Sequence, residues 1–172
     1  MRNRERALKI AEAAYGADHP SVATVVNNLG LVLHDLGDLA GARQCCERAL
    51  KIDEAAAGAD HPSVATDVNN LGGVLQDLGD LTGARQCFER ALKIDEVAYG
   101  ADHPSVATDV NNLGLVLQDL GDLTGARQCC ERALAILERF LGSQHPRTAS
   151  VSDNLAEVCH LMAKDAPRDE QP

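Results

Sequence analysis

The chain copies itself with an unvarying period of 42 residues: 21–62, 63–104 and 105–146 are near-duplicates. The first two copies agree at 35 of 42 positions and the second and third at 33 of 42, with no insertion. A period of about 20 to 50 residues marks a stacked array of supersecondary units, each touching only its neighbours. The pattern runs past these bounds in both directions. Glu5-Arg6-Ala7-Leu8-Lys9-Ile10 matches Glu47-Arg48-Ala49-Leu50-Lys51-Ile52, and His145-Pro146 opens a fourth, degenerate copy. The expected organisation is one array over 1–163: a half repeat 1–20, full repeats 21–62, 63–104 and 105–146, and a terminal helix 147–163. The polar stretch 164–172 is expected to be a disordered tail.

Within a copy, Val22, Val26, Leu29, Gly30, Leu33 and Leu36 fall at helical spacing and give a first helix, A, one apolar stripe. Gly37-Asp38 breaks it. Leu39, Ala42, Cys45, Cys46, Ala49, Leu50 and Ile52 then form the stripe of a second helix, B, which ends at Gly58. Asp60-His61-Pro62 announces the next A helix, because proline suits the first helical position and Asp or His before it can cap. The fold class is all-α, built of antiparallel helix pairs, with about seven helices plus a fraying N-terminal one.

The string Val26-x-x-Leu29-Gly30-x-x-Leu33, then Ala42-x-x-x-Cys46, then Ala49 resembles the tetratricopeptide repeat (TPR). The small residues Gly30 and Ala42 let the two helices approach closely. The 42-residue form is similar to the repeats of kinesin light chains and of many bacterial repeat proteins. It carries "Gly-x-x-His-Pro-x-Val-Ala" and "Asn-Asn-Leu-Gly", followed by "Ala-Arg" and "Arg-Ala-Leu-x-Ile". This resemblance implies a right-handed superhelical α-solenoid whose A helices line a concave face that binds an extended peptide or a partner helix. Mapped position by position, it places Asn27, Asn28, Leu31, His34 and Asp35 on that face in the first repeat. Asn69, Asn70, Gly73, Gln76 and Asp77 follow in the second, and Asn111, Asn112, Leu115, Gln118 and Asp119 in the third, with Thr24, Thr66 and Thr108 at their head.

Asparagine is a mediocre helix former, and its amide both donates to and accepts from a peptide backbone. Similar asparagines hold bound peptide main chain in the family. The resemblance gives this role first to Asn28, Asn70 and Asn112; the alternative is that one Asn of each pair serves repeat-to-repeat hydrogen bonding. Charge narrows the ligand. Segments 21–36, 63–78 and 105–120 hold no Lys or Arg, whereas Asp35, Asp67, Asp77, Asp109 and Asp119 all lie there. A lysine clamp for a carboxylate is missing, so the expected partner is a neutral or basic protein or peptide. Basic residues gather on helix B, at Arg43, Arg48, Lys51 and their copies, within reach of nearby acids.

A net charge of −10 disfavours nucleic acid and anionic membrane surfaces, which need a basic footprint. No apolar run is long enough for a signal peptide or a membrane span, and the cytoplasm is the expected location. Five of the six cysteines recur at two repeat positions and none forms Cys-x-x-Cys, which fits buried apolar roles better than disulfides or metal. His19, His61, His103 and His145 recur one per repeat, too sparse for a shared metal site, and read as caps. No catalytic constellation or phosphate loop stands apart from the period. Neither cofactor nor metal is expected.

The resulting expectation is a non-enzymatic protein-interaction scaffold. The alternative is a regulatory sensor segment of a larger signalling ATPase of the STAND type, to which similar arrays are attached. The ends are more polar than interior repeats: Asn3 and Arg4 replace Cys45 and Cys46, Glu157 replaces Leu115, and Asp165 replaces the turn leucine. A monomer is expected in dilute solution. The half repeat at each end would still complete one unit, so weak head-to-tail self-association is geometrically open. Gly73 replaces the leucine of Leu31 and Leu115, either by drift or to let a ligand approach.

Overall fold

The computed structural model describes residues 2–165, which form eight helices and no strand. A first compact unit, Met1–Gly100, holds α1 (Arg2–Tyr15), α2 (Pro20–Asp35), α3 (Leu39–Ala57), α4 (Pro62–Asp77) and α5 (Leu81–Tyr99). A second begins at Ala101 and holds α6 (Pro104–Asp119), α7 (Leu123–Leu141) and α8 (Pro146–Asp165). Helices α2, α4, α6 and α8 are of type A; α1, α3, α5 and α7 are of type B. The B helices run to 19 residues against 16 for the complete A helices. Helix α8 continues through Lys164 and Asp165, two residues past its expected end. The rest of the expected tail, 166–172, and the side chains of Asn3, Arg4 and Asp165 lie outside the described residues.

The punctuation is chemical and repeats faithfully. Nδ1 of His19, His61 and His103 accepts the N–H of Ser21, Ser63 and Ser105 at 3.1 Å. His145 does the same for Arg147 at 3.2 Å. Each satisfies an orphan donor of the helix that its proline begins. With Nδ1 accepting, the ring proton of a neutral imidazole sits on Nε2. At the other end of helix A, Gly37 adopts φ +79°. There the Asp38 N–H donates to the Leu33 carbonyl at 2.8 Å and the Gly37 N–H to that of His34 at 2.9 Å. This paired closure needs a left-handed residue, hence glycine. Asp38 then caps the following helix by accepting from Gly41 N–H at 3.0 Å. A Cβ on Gly41 would stand 2.5 Å from Asp38 Oδ2, so the cap and the glycine require each other. A three-residue link thereby ends one helix and starts its antiparallel partner.

Helices A and B of one repeat approach through small residues. A Cβ on Gly30 would meet Cys45 Cβ at 3.1 Å, and one on Gly72 would meet the Phe88 ring at 2.8 Å. Phe88 supplies at the second repeat the bulk that Cys46 and Cys130 leave smaller. Those two cysteines are fully buried, and burial pushes their thiols up to about 12 and about 11, so both act as neutral apolar groups. The core crosses repeat boundaries. Ala11 of α1, Val22, Ala23 and Val26 of α2, and Ala49 and Ile52 of α3 form one cluster. In the second unit Val158 of α8 packs with Leu117, Ala126 and Cys130.

On the outer faces, Arg43–Glu47 and Arg85–Glu89 pair at 2.7 Å one turn apart. Arg48 reaches back to Glu12 at 2.7 Å and Arg90 to Glu54 at 2.6 Å, tying consecutive B helices together. All are half-exposed and screened by water, so they add little to stability.

One core position breaks the repeat. Thr148 stands where Val22, Val64 and Val106 are fully buried; it is 1% exposed, and its hydroxyl has no hydrogen-bond partner. A buried unsatisfied hydroxyl costs about 1–3 kcal/mol. Thr148→Val is therefore expected to stabilise the protein by about 1 kcal/mol, read as a raised urea midpoint at unchanged slope. An unchanged or lowered midpoint would show that the hydroxyl is satisfied.

Candidate functional site

The A helices carry the candidate face. Its first turn is local: Thr24, Thr66 and Thr108 each donate from Oγ1 to the carbonyl four residues back, at 3.3 to 3.5 Å. One turn on, the asparagines join neighbouring repeats. Asn70 Nδ2 of α4 donates to Asn27 Oδ1 of α2 at 3.1 Å, and Asn154 Nδ2 of α8 donates to Asn111 Oδ1 of α6 at 3.0 Å. The second Asn of one repeat thus holds the first Asn of the repeat before it. Asn27 is buried, and Asn69, Asn70, Asn111 and Asn112 are half-buried, whereas Asn28 is exposed. Asn70 spends one amide hydrogen on Asn27 and keeps a second hydrogen and its oxygen.

Toward the C-terminal end of the same face, His34 Nε2 lies 2.6 Å from Asp77 Oδ2, again joining α2 to α4. Leu31, Asp35, Asp77 and Asp119 are exposed, and Gln76, Leu115 and Gln118 are half-buried. Gly73 is half-buried with nothing within 4 Å of where a Cβ would stand, so the helix carries a vacant notch where Leu31 and Leu115 project.

Two of the five aspartates in segments 21–36, 63–78 and 105–120 lie off this face. Asp67 and Asp109 are 3% and 4% exposed and point into the protein. Asp35, Asp77 and Asp119 are exposed. Two residues of the degenerate fourth copy join the same polar network. Asn154 keeps the second-Asn position in the degenerate fourth copy, and the period alone would have found it. Arg147 replaces Ser21, Ser63 and Ser105 and donates to the Thr108 hydroxyl and the Pro104 carbonyl. It stands at the rim of a cavity of about 130 Å³ that Thr108, Asn111, Leu137 and Val151 help to line.

Models of protein families match three stretches, 21–72, 66–110 and 108–167, all described as tetratricopeptide repeat. The chain is a tetratricopeptide repeat protein. Among solved structures it resembles a Podosopora anserina protein of nearly identical TPR-like repeats, described as a kinesin light chain. The match has 20% identity and a TM-score of 0.78, covering 94% of this chain and 76% of that one. BtubC (BKLC) from P. vanneervenii matches at 25% identity and a TM-score of 0.77, covering 94% and 69%. The apo form of RapI matches at 20% identity and a TM-score of 0.78, covering 92% and 57%. No curated protein sequence matches the chain significantly. These likenesses place the TPR protein among kinesin-light-chain-like α-solenoids. Among its described residues, no helix is long and apolar enough to cross a membrane.

The Asn27–Asn70 bond is open to direct measurement. In a double-mutant cycle of Asn27→Ala and Asn70→Ala, the coupling energy is expected at about 0.5–1.5 kcal/mol by urea unfolding. Additive effects would remove these amides from repeat-to-repeat bonding.

Proposed function

We propose that this TPR protein is a protein-interaction scaffold whose A-helix face binds an extended peptide or partner helix that is neutral or basic. The observation that carries the reading is the spacing of exposed groups along that face. Each repeat offers asparagine amides, then a leucine or the Gly73 notch, then an exposed aspartate, with no Lys or Arg in 21–36, 63–78 or 105–120. Amide groups suit any peptide backbone, so they supply affinity with little side-chain selection. The aspartates select by sign, because an acidic ligand would meet like charge. Asn28 is the most accessible amide of the set. Asn70 and Asn112 are less open, and Asn27 serves chiefly the repeat-to-repeat bond. His34 lies 2.6 Å from Asp77 and 4.0 Å from Asp35, so a histidine already sits beside this end of the face in the first two repeats.

The proposed state in dilute solution is a monomer. Where interior repeats bury Val26, Gly30 and Leu33 against their own B helix, α8 exposes Ser152, Ala156 and Cys159. That is a small and partly polar surface, with little apolar area to drive docking of a second copy.

A panel of labelled neutral, Lys/Arg-rich and Asp/Glu-rich peptides, followed by fluorescence anisotropy, tests the reading. Basic peptides are expected to bind best and to weaken as salt rises. Asp35→Asn and Asp119→Asn should each weaken them by about two- to fivefold, as half-exposed charge pairs of up to about 1 kcal/mol allow. Preference for the acidic set, or binding that rises with salt, would overturn the proposal.

A further inference from the structure

The buried carboxyl groups lie outside the proposed peptide surface, and their pattern in the sequence is not random. One position of helix B reads Ala11, Asp53, Asp95, Leu137 along the repeats. One position of the following helix A reads Val25, Asp67, Asp109, Val151. The two change together. Where the B position is apolar the next A position is valine, and where it is Asp the next is Asp. At the apolar end of the series, Val25 packs on the cluster that contains Ala11. In the first unit the acidic version is explicit: Asp53 of α3 and Asp67 of α4 are 9% and 3% exposed, and their carboxyl groups are placed to hydrogen-bond to each other. Asp95 and Asp109, at the same repeat positions, are buried as well.

Two ionised carboxylates are both acceptors and cannot hydrogen-bond to one another; a proton must lie between them. Little nearby could replace that proton. From α3, Asp67 faces the Asp53 carboxyl and, as a weaker influence, the Cys46 thiol, which burial keeps neutral. On α2, Asn27 accepts at Oδ1 from Asn70 Nδ2, one turn along α4, and does not act on the Asp67 carboxyl. From α5 no charged side chain acts on Asp67, and Arg90 is engaged by Glu54 and the Ala59 carbonyl. No N–H or hydroxyl reaches the buried Asp67 Oδ2.

We infer that Asp53 and Asp67 form a proton-sharing clasp between consecutive repeats, so that the α3–α4 joint is firm while one proton is held and loosens when it is lost. Burial, then the neighbouring Asp53 charge and the hydrogen bond to it, push the Asp67 carboxyl up to about 7. The folded state therefore binds a proton that the unfolded chain has already released above the ordinary carboxylate range. Folding stability from this group is fully present below about pH 4 and is lost progressively as pH rises toward 7, the reverse of the usual salt-bridged aspartate. Above 7 the loss is complete and levels off.

The test is urea unfolding of the full chain and of Asp67→Asn between pH 5 and 8.5. Other titrating groups, Asp95 and Asp109 included, are common to both proteins, so the ratio of their unfolding constants isolates the clasp. The wild-type constant divided by that of Asp67→Asn is expected to rise about tenfold per pH unit from pH 5 to about 7 and then to flatten. Should Asp67→Asn fail to fold, the pair Asp53→Ala with Asp67→Val, which copies the natural Ala11–Val25 combination, gives the same readout. A ratio constant across this range would overturn the inference.

Discussion

Everything in this protein depends on the inability of one helix pair to bury its own apolar surface. Val22, Val26 and Ile52 complete their burial only with Ala11 from the preceding B helix. In the second unit the last A helix contributes Val158 to a cluster made mainly by the pair before it. Each repeat is thus a half-finished core, and the next repeat finishes it. Small residues at Gly30, Gly72 and Gly114 set how closely helices A and B lie, and the three-residue link with its glycine and aspartate sets their antiparallel turn. The rest of the molecule is layered on that geometry.

Polar groups mark the same joints in a second register. The asparagine bonds Asn27–Asn70 and Asn111–Asn154, the His34–Asp77 contact, and the Arg48–Glu12 and Arg90–Glu54 pairs all join one repeat to the next. The candidate binding face is therefore also a structural face. On that face Asn28 and Asp35 are exposed, whereas Asn27 is buried in a joint.

The sequence made the architecture legible because the period repeats each signal three times. The His-Pro caps, the Leu-Gly-Asp-Leu links and the stripes of helices A and B all fall where periodicity puts them. Burial within helix A was harder to read. Asp67 and Asp109 sit beside exposed positions, and a charged residue there looks solvent-facing until its partner on the preceding B helix is known. The co-variation of residues 11, 53, 95 and 137 with 25, 67, 109 and 151 held that information, but it joins different helices and so escapes a helix-by-helix reading. Thr148 and Arg147 are hard to read for a related cause: both lie in the degenerate fourth copy, where the period no longer predicts the residue.

The central functional claim is that ligand contact falls on the A helices. The most direct measurement is amide and side-chain chemical-shift mapping of isotope-labelled protein titrated with a lysine-rich peptide. The account predicts that shifts concentrate on the side-chain amides of Asn28, Asn70 and Asn112 and on backbone amides near Asp35, Gly73 and Asp119. Shifts confined to the B helices, around Arg43, Arg85 and Arg127, would contradict it.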